Sequence, residues 1–452
     1  MVETPDSTDT SAHREVTSWR GVPMWVWIGL AGFLTHSTYL LITAIYSPVT
    51  SWWMNAPDAH EYVTAAQSII NGAYQSMPDD PQGLFRYYRV PGYPTLVALF
   101  SFLTGTSPAS GWFVIVNPVF VGLLVVSIYQ TARLLDIPPR VSTLAGFLAS
   151  ISPTTLSVTP LLLTDIPTSA ILAVSLWLLG YGAIYGNMRH TVLAGVLVGI
   201  ATLMRPAAVV AVVLLPVFAL LWPKRGNIRK IGFTIMVAVS LLPSIAWTLH
   251  VHRQVDVWTI ETHASSHAYL WMTTALATRS DSHIQEAAVD ALAERRARAI
   301  KSGLITTERD RIAWERNQTD SLLTVYRGAA VPALVRSAAL LLVSPTKDFT
   351  AQFPDVSGVI GRNPPRIVSS LRFLLIAWGF VALLLAKYYR VVVIFLLLIF
   401  SVLLPNLSIG GLGAQRHMLG AAVPLFIALS YGISDLVRRL RFLKHAGLPH
   451  SG

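Results

Sequence analysis

The chain has 452 residues, of which 53% are hydrophobic and only 13% charged, and it carries a formal net charge of +11. That charged share is about half of the roughly 25% usual in soluble domains. There is no cysteine, which excludes disulfides, a thiolate nucleophile and any Cys-based metal site.

Residues 1–20 are polar and rich in Ser and Thr, and they predict a disordered cytoplasmic tail. The apolar run Val22 to Tyr46 is too long for the core of a cleaved signal peptide and predicts a retained first helix. Many further continuous apolar runs follow, each near the about 20 residues that a helix needs to cross about 30 Å of hydrocarbon. Their continuity excludes a barrel, whose strands alternate. The fold class expected is an all-α polytopic membrane protein with about ten transmembrane helices and outer juxtamembrane helices. The expected spans are about 23–46, 112–134, 141–158, 165–186, 190–204, 207–222, 231–249, 368–386, 391–405 and 417–434.

Basic residues set the orientation. Arg133, Arg140, Arg189, Lys224, Arg225, Arg229, Lys230, Lys387, Arg390, Arg438, Arg439, Arg441 and Lys444 all fall in short segments on one side of this topology. This is the positive-inside pattern, and it accounts for the net charge without any nucleic-acid partner. It places both termini in the cytoplasm of an inner (plasma) membrane protein. The short apolar run Gly92 to Leu103 is expected to lie at the outer interface, because counting it as a span would invert every later loop. The expected organisation is a tail at 1–20, an N-terminal membrane module at 21–249 with a first outer loop at 47–111, an extracytoplasmic helical insert at 250–366, C-terminal membrane helices at 367–437, and a basic tail at 438–452. The insert holds about half of the acidic residues, with a helical, charge-rich section from Ser282 to Asp320 and an apolar patch from Ala329 to Val343.

The chemistry concentrates in the first outer loop. From Asp58, helical spacing puts Glu61 and Tyr62 on the same face at i+3 and i+4. Asp58 can be a first-turn or cap residue, or a general base taking a proton from an acceptor hydroxyl or amine. The pattern leaves both readings open. Arg86, Tyr87, Tyr88 and Arg89 follow, beside Pro91-Gly92-Tyr93-Pro94. Guanidinium forks suit phosphate, and tyrosines suit a sugar, although an interfacial aromatic belt has the same composition. Asp165 opens the fourth span, Arg205 sits at a tight outer turn before Pro206, and Arg416-His417 opens the last span. Arginine at short outer turns runs against the charge bias, and anion binding is the simplest reason for it. Asp79-Asp80, between prolines, reads as a loop. His60, His263 and His267 read as ordinary surface histidines, and no spacing supports a metal site.

The order of these features resembles a known family: Asp58…Tyr62…Gly72, then Arg89-Val-Pro-Gly-Tyr-Pro, Ser152-Pro153, Thr164-Asp165, Gly199…Leu203-Met-Arg205-Pro206 and a late Arg416. It looks like the GT-C superfamily of polyprenyl-phosphate-sugar-dependent glycosyltransferases, near the branch of protein O-mannosyltransferases and the aminoarabinose transferase acting on lipid A. The resemblance covers residues 25–225 well and the C-terminal half loosely. It implies inverting transfer of a sugar from a polyprenyl-phosphate donor to an extracytoplasmic acceptor that is a glycan, lipid or protein, without a metal or other cofactor. It implies Asp58 as catalytic base with Glu61 beside it, and donor-phosphate contacts from Arg86, Arg89, Arg205 and Arg416. Substrate contacts fall to Tyr62, Tyr88, Tyr93, Asp165 and His417. The chain departs from the fuller pattern in having no Asp-Glu pair at Asp58. The rival class is a transporter or flippase for a lipid-linked or anionic substrate, which should show repeated halves and charges near the bilayer midplane.

Overall fold

The computed structural model describes residues 21–47, 51–77, 80, 82–222, 230–266, 282–325, 332, 363–406 and 418–446. In chain order its helices are α1 (Met24–Tyr46), α2 (Pro57–Ile70), α3 (Gly92–Thr104), α4 (Asn117–Leu134), α5 (Pro139–Ser150), α6 (Pro153–Val158), α7 (Asp165–Tyr185) and α8 (Met188–Met204). They continue with α9 (Val209–Leu221), α10 (Lys230–Val255), α11 (Ser282–Lys301), α12 (Glu308–Val325), α13 (Asn363–Leu385), α14 (Tyr389–Asn406) and α15 (Ala422–Ala446).

The apolar bundle matches the expected class, but the count of ten crossings is not reproduced as ten long helices. Among the described residues, six stretches are long and apolar enough to cross a bilayer: Met24–Tyr46, Trp112–Leu134, Pro139–Val158, Asp165–Tyr185, Thr234–Val255 and Met418–Phe442. Met188–Met204, Leu371–Leu385 and Tyr389–Leu403 are shorter apolar helices, as is Gly92–Thr104. The expected span 141–158 is interrupted where Ser152 accepts from the Thr155 amide and Pro153 starts a new helix. The span expected at 231–249 runs on to Val255 through an internal Pro243. The charge-rich section 282–320 divides into α11 and α12 at Gly303, whose φ of +75° suits the turn. The apolar patch 329–343 lies outside the described residues, Pro332 excepted.

Small residues set the helix spacing, as they do where membrane helices cannot rely on water to drive them together. A β-carbon on Gly379 of α13 would sit 1.8 Å from the Ala428 carbonyl oxygen of α15, so those two backbones touch. A β-carbon on Gly92 would meet the Leu203 carbonyl at 2.6 Å, which seats the start of α3 on the end of α8. That contact brings the loop preceding Gly92 beside Arg205.

The bundle has two chemically different ends. At one, the Tyr388 hydroxyl donates to the Asp136 carbonyl (3.2 Å), joining the α13–α14 and α4–α5 turns that carry Lys387, Arg390, Arg133 and Arg140. At the other, segment 159–164 is stitched down by buried donors. Asn117 Nδ2 donates to the carbonyls of Thr159 (2.8 Å) and Leu161 (3.2 Å), and the Leu162 amide donates to the Trp53 carbonyl (3.1 Å). The ring of His36 meets the Thr159 hydroxyl at 2.6 Å.

The insert is fastened to this second end by one buried polar clamp. Arg311, with no solvent exposure, donates to the Leu84 carbonyl (2.8 Å), Ser266 Oγ (3.1 Å), the Thr262 carbonyl (3.2 Å) and Glu315 (2.8 Å). Glu308 accepts from the Tyr87 amide (3.3 Å) and from the Thr262 hydroxyl (2.5 Å). Arg311→Ala leaves buried Glu308 without its cation and Glu315 with Arg296 alone; breaking a comparable buried pair costs about 3–5 kcal/mol. A clear drop in the thermal-unfolding midpoint of the purified variant is expected. An unchanged midpoint shows that the clamp does not hold the insert.

Candidate active site

Asp58 and Glu61 stand one turn apart at the start of α2, where Pro57 occupies the first helical position and no side chain caps the helix. An acid in this first turn is favoured by the helix dipole, but Asp58 does not cap. Both carboxylates instead meet one cation. Arg89 Nη2 donates to Asp58 Oδ1 at 2.9 Å, and Arg89 Nε donates to Glu61. The guanidinium is largely buried, with 11% of its side chain exposed, and Asp58 keeps the most solvent access of the three at 27%.

The Arg89 backbone is pinned from both sides. Its amide donates to Ser76 Oγ (3.1 Å) and its carbonyl accepts from the Tyr74 hydroxyl (2.6 Å). The rings of Tyr62 and Tyr88 lie 5.6 and 5.7 Å from the guanidinium carbon, within cation–π range. Tyr62 is buried and packs edge-on against Tyr93 (4.9 Å), which has no exposed surface. Tyr88 is buried too and stacks on His263 at 4.0 Å. These tyrosines, expected as sugar contacts, form the wall behind Arg89, because their rings are used up in packing. His263, expected at the surface, is likewise buried.

A second ion pair stands next to this triad. Arg205 follows the last residue of α8, and its Nη1 donates to Asp165 Oδ1 at 2.5 Å, with Asp165 itself only 3% exposed in the first turn of α7. Arg205 borders a small pocket with Thr168, Ser169 and Gly420. The Tyr62 hydroxyl bonds Thr164, the residue before Asp165, so the two pairs share a wall. Arg86 is exposed and engages Tyr87 rather than the carboxylates. Arg416 and His417, and with them His267 and Asp79, lie outside the described residues. Asp80 is a loop residue as expected, its carboxylate accepting the amides of Leu84 (3.0 Å) and Phe85 (2.7 Å).

Two residues of this end were not singled out from sequence. Glu261 follows α10 on a segment held by the Trp247 indole, which donates to the Ile260 carbonyl (2.8 Å), and by the Thr262 amide, which donates to the Tyr87 carbonyl (3.0 Å). There it lies within the fields of Arg89, Arg205, Glu61 and Asp58. Burial pushes its carboxyl up to about 7, against the pull of Arg89 and Arg205. Burial also raises the Glu61 carboxyl above its ordinary value, opposed by Arg89. The second is Arg372, inside α13, whose Nη1 donates to Thr154 Oγ1 at 3.4 Å. Among the described residues, no group of three or more His, Asp or Glu side chains is arranged to hold a metal ion.

Residues 89–250 match the family model described as dolichyl-phosphate-mannose-protein mannosyltransferase. No curated protein is similar enough in sequence to count as a relative. In structure, the chain is similar to the archaeal oligosaccharyltransferase AglB from Archaeoglobus fulgidus in complex with an inhibitory peptide and a dolichol-phosphate. The TM-score is 0.53 at 12% identity, covering 94% of this chain and 52% of that one. The same enzyme tethered to an acceptor peptide gives 0.52 at 11% identity, covering 93% and 50%. ArnT from Cupriavidus metallidurans in the apo state gives 0.39 at 15% identity, covering 92% and 79%. The chain therefore shares the fold of that oligosaccharyltransferase and spans about half of its length.

Glu261 makes stability depend on pH in a fixed direction. Its carboxyl ionises near 4.5 without the fold's influence and near 7 in the folded site. The protonated form is favoured by folding, so this contribution is complete at low pH and is lost as pH rises between those values. Glu261→Gln removes the titration. The unfolding midpoint of the Gln variant, minus that of the parent, is expected to grow from about pH 4.5 to about 7 and then level off. A difference independent of pH means that Glu261 is not buried among these charges.

Proposed function

We propose that the chain is an inverting glycosyltransferase that moves a sugar from a polyprenyl-phosphate donor to an acceptor on the extracytoplasmic face of the inner (plasma) membrane. The observation that supports this most directly is the Asp58–Arg89–Glu61 triad beside Arg205–Asp165, at the end of the bundle opposite the basic turns. The match of residues 89–250 to a family of lipid-phosphate-dependent mannosyltransferases supports the same reading.

In this mechanism an acceptor hydroxyl attacks the anomeric carbon from the face opposite the phosphate. A bond forms from the acceptor oxygen to that carbon, and the bond to the phosphate oxygen breaks. The hydroxyl proton passes to the Asp58 carboxylate, and the polyprenyl phosphate departs with the electron pair. Arg89 holds Asp58 in its ionised form and fixes its direction, while keeping Glu61 from repelling it. Asp58 suits the base role better than Glu61 because more of its side chain reaches solvent, where an acceptor arrives. Stabilising charge on the departing phosphate supplies the larger part of the barrier reduction, because guanidinium dipoles fixed in place need no reorganisation during the reaction. No metal is required for that step when guanidinium groups meet the phosphate.

The acceptor must enter past the insert, since Glu308 and Arg311 bind the same loop that carries Arg89. The insert thereby becomes the part of the chain that selects a glycan, a lipid or a protein.

Asp58→Asn keeps the bond to Arg89 possible but removes the base. Transfer of labelled sugar from a polyprenyl-phosphate donor is expected to fall by about 100- to 10,000-fold with donor affinity retained. Unchanged turnover removes Asp58 from the chemistry. Movement of the labelled lipid across a liposome bilayer with no new glycosidic product would identify a transporter instead.

A further inference from the structure

The two described arginines best placed to take a phosphate at the catalytic end already have carboxylate partners: Arg89 has two and Arg205 has Asp165. Arg372 is different. Among the described residues its partner is a hydroxyl, Thr154 Oγ1, and it forms no ion pair there. It stands about 14 Å along α13 from Asn363, at the start of the apolar stretch Leu371–Leu385, where an ionisable side chain marks a binding or transport function by default.

Arg372 opens onto a cavity of about 290 Å³ between α13, α14 and α15. The cavity has one polar end and one apolar end. Arg372, Ser152 and Thr154 form the polar end, next to the start of α6. Phe380, Leu396 and Leu429 line the other end, Phe380 being about 12 Å further along α13. The polar end faces the same end of the bundle as the catalytic groups. The turn Met418–Ala421 joins the two places: Met418 and Leu419 line the Arg372 cavity, and Gly420 lines the small pocket beside Arg205.

We infer that this cavity seats the isoprenoid phosphate of the donor, with the phosphate on Arg372 and the Ser152 and Thr154 hydroxyls and the first isoprene units running down towards Phe380 and Leu429. This rests on the reading of the chain as a polyprenyl-phosphate-dependent transferase and assigns its donor anchor to a residue within a membrane helix. Charge selects an anion, because a guanidinium with no carboxylate partner among the described residues offers a phosphate a planar fork of donors. The apolar length below it selects an amphiphile over free phosphate. The volume, at the small end of ligand pockets of about 300–1,000 Å³, admits one chain and argues against a two-chain phospholipid.

The test uses the full chain in nanodiscs of zwitterionic phospholipid, with undecaprenyl phosphate as the probe and affinity as the readout. Arg372→Gln removes the charge, and Ala377→Phe fills the cavity mouth from an exposed position. Both are expected to weaken binding at least tenfold, with Arg372→Lys intermediate. Tight binding to the parent that neither substitution weakens overturns this inference while leaving the transferase reading in place. No binding to the parent overturns the transferase reading as well. Equal competition by a phosphatidylglycerol, reduced by the same two substitutions, overturns the assignment of the isoprenoid chain and makes the cavity a bilayer-lipid site. Because Ala377→Phe leaves Arg372 intact, loss of binding in both variants at unchanged unfolding midpoints separates a blocked seat from a misfolded chain.

Discussion

One guanidinium shared between two carboxylates decides how this end of the molecule is built. Asp58 and Glu61 are one helical turn apart and largely shielded from water, so without a cation they would repel each other and favour protonation. Arg89 resolves that conflict only if its backbone is held still, and the loop around it exists to do so. Tyr74 and Ser76 fix its carbonyl and amide, Tyr62 and Tyr88 cover its flat faces, and Gly92 allows the chain behind it to rest directly on α8. The insert then closes the arrangement from outside, because Arg311 and Glu308 grip the carbonyl of Leu84 and the amide of Tyr87. The loop that carries Arg89 is therefore clamped between α8 and a polar insert more than 200 residues away in sequence.

The same logic explains why the site contains more acid than a phosphate-binding site would seem to need. Asp58, Glu61 and Asp165 face Arg89 and Arg205, and Glu261 adds a fourth carboxyl within reach of both arginines. With Glu261 protonated, the group carries one net negative charge, and with Glu261 ionised it carries two. An arriving phosphate adds to whichever is present. A carboxyl whose burial already raises it to about 7 is the one that gives up its charge at least cost. Glu261 thus tempers the negative field while Asp58 stays paired with Arg89.

Much of this was legible in sequence, and the reason is that its signals are local. Membrane helices announce themselves by hydropathy, and the acids of α2 declare their common face by spacing. The Arg89–Pro91–Gly92 order placed a basic residue beside a tight backbone contact. What sequence could not give were the partners. Nothing near Arg89 says that its guanidinium meets Asp58 and Glu61 rather than open solvent, and nothing in Thr259-Ile260-Glu261-Thr262 says that Trp247 and Tyr87 carry it into the site. Arg311 and Glu315 are buried as an i, i+4 pair, which the charge-rich section 282–320 does not reveal, since charged residues on polar helices are usually solvated. Burial also reversed the reading of Tyr93 and His263, because an aromatic residue near a membrane face looks the same in sequence whether it points outward or into the core.

Arg372 was hidden for the opposite reason. It is the one charge within the expected span 368–386, and an isolated arginine in an apolar run does not reveal its partner. A helix of 23 residues tolerates one arginine near its end by snorkelling, but this side chain is turned inward to Thr154 and to a cavity. The close approach of Gly379 to Ala428 shows why it cannot easily turn elsewhere: α13 and α15 are locked in register by backbone contact about two turns further along, which fixes the face that Arg372 presents. The cation is thus held by the fold at the polar mouth of an apolar slot, and the turn 418–421 lies between that slot and Arg205. With the donor phosphate seated on Arg372, the departing charge is met by an arginine that has no carboxylate partner among the described residues, while Arg89 and Arg205, nearest Asp58, stay paired with Asp58, Glu61 and Asp165.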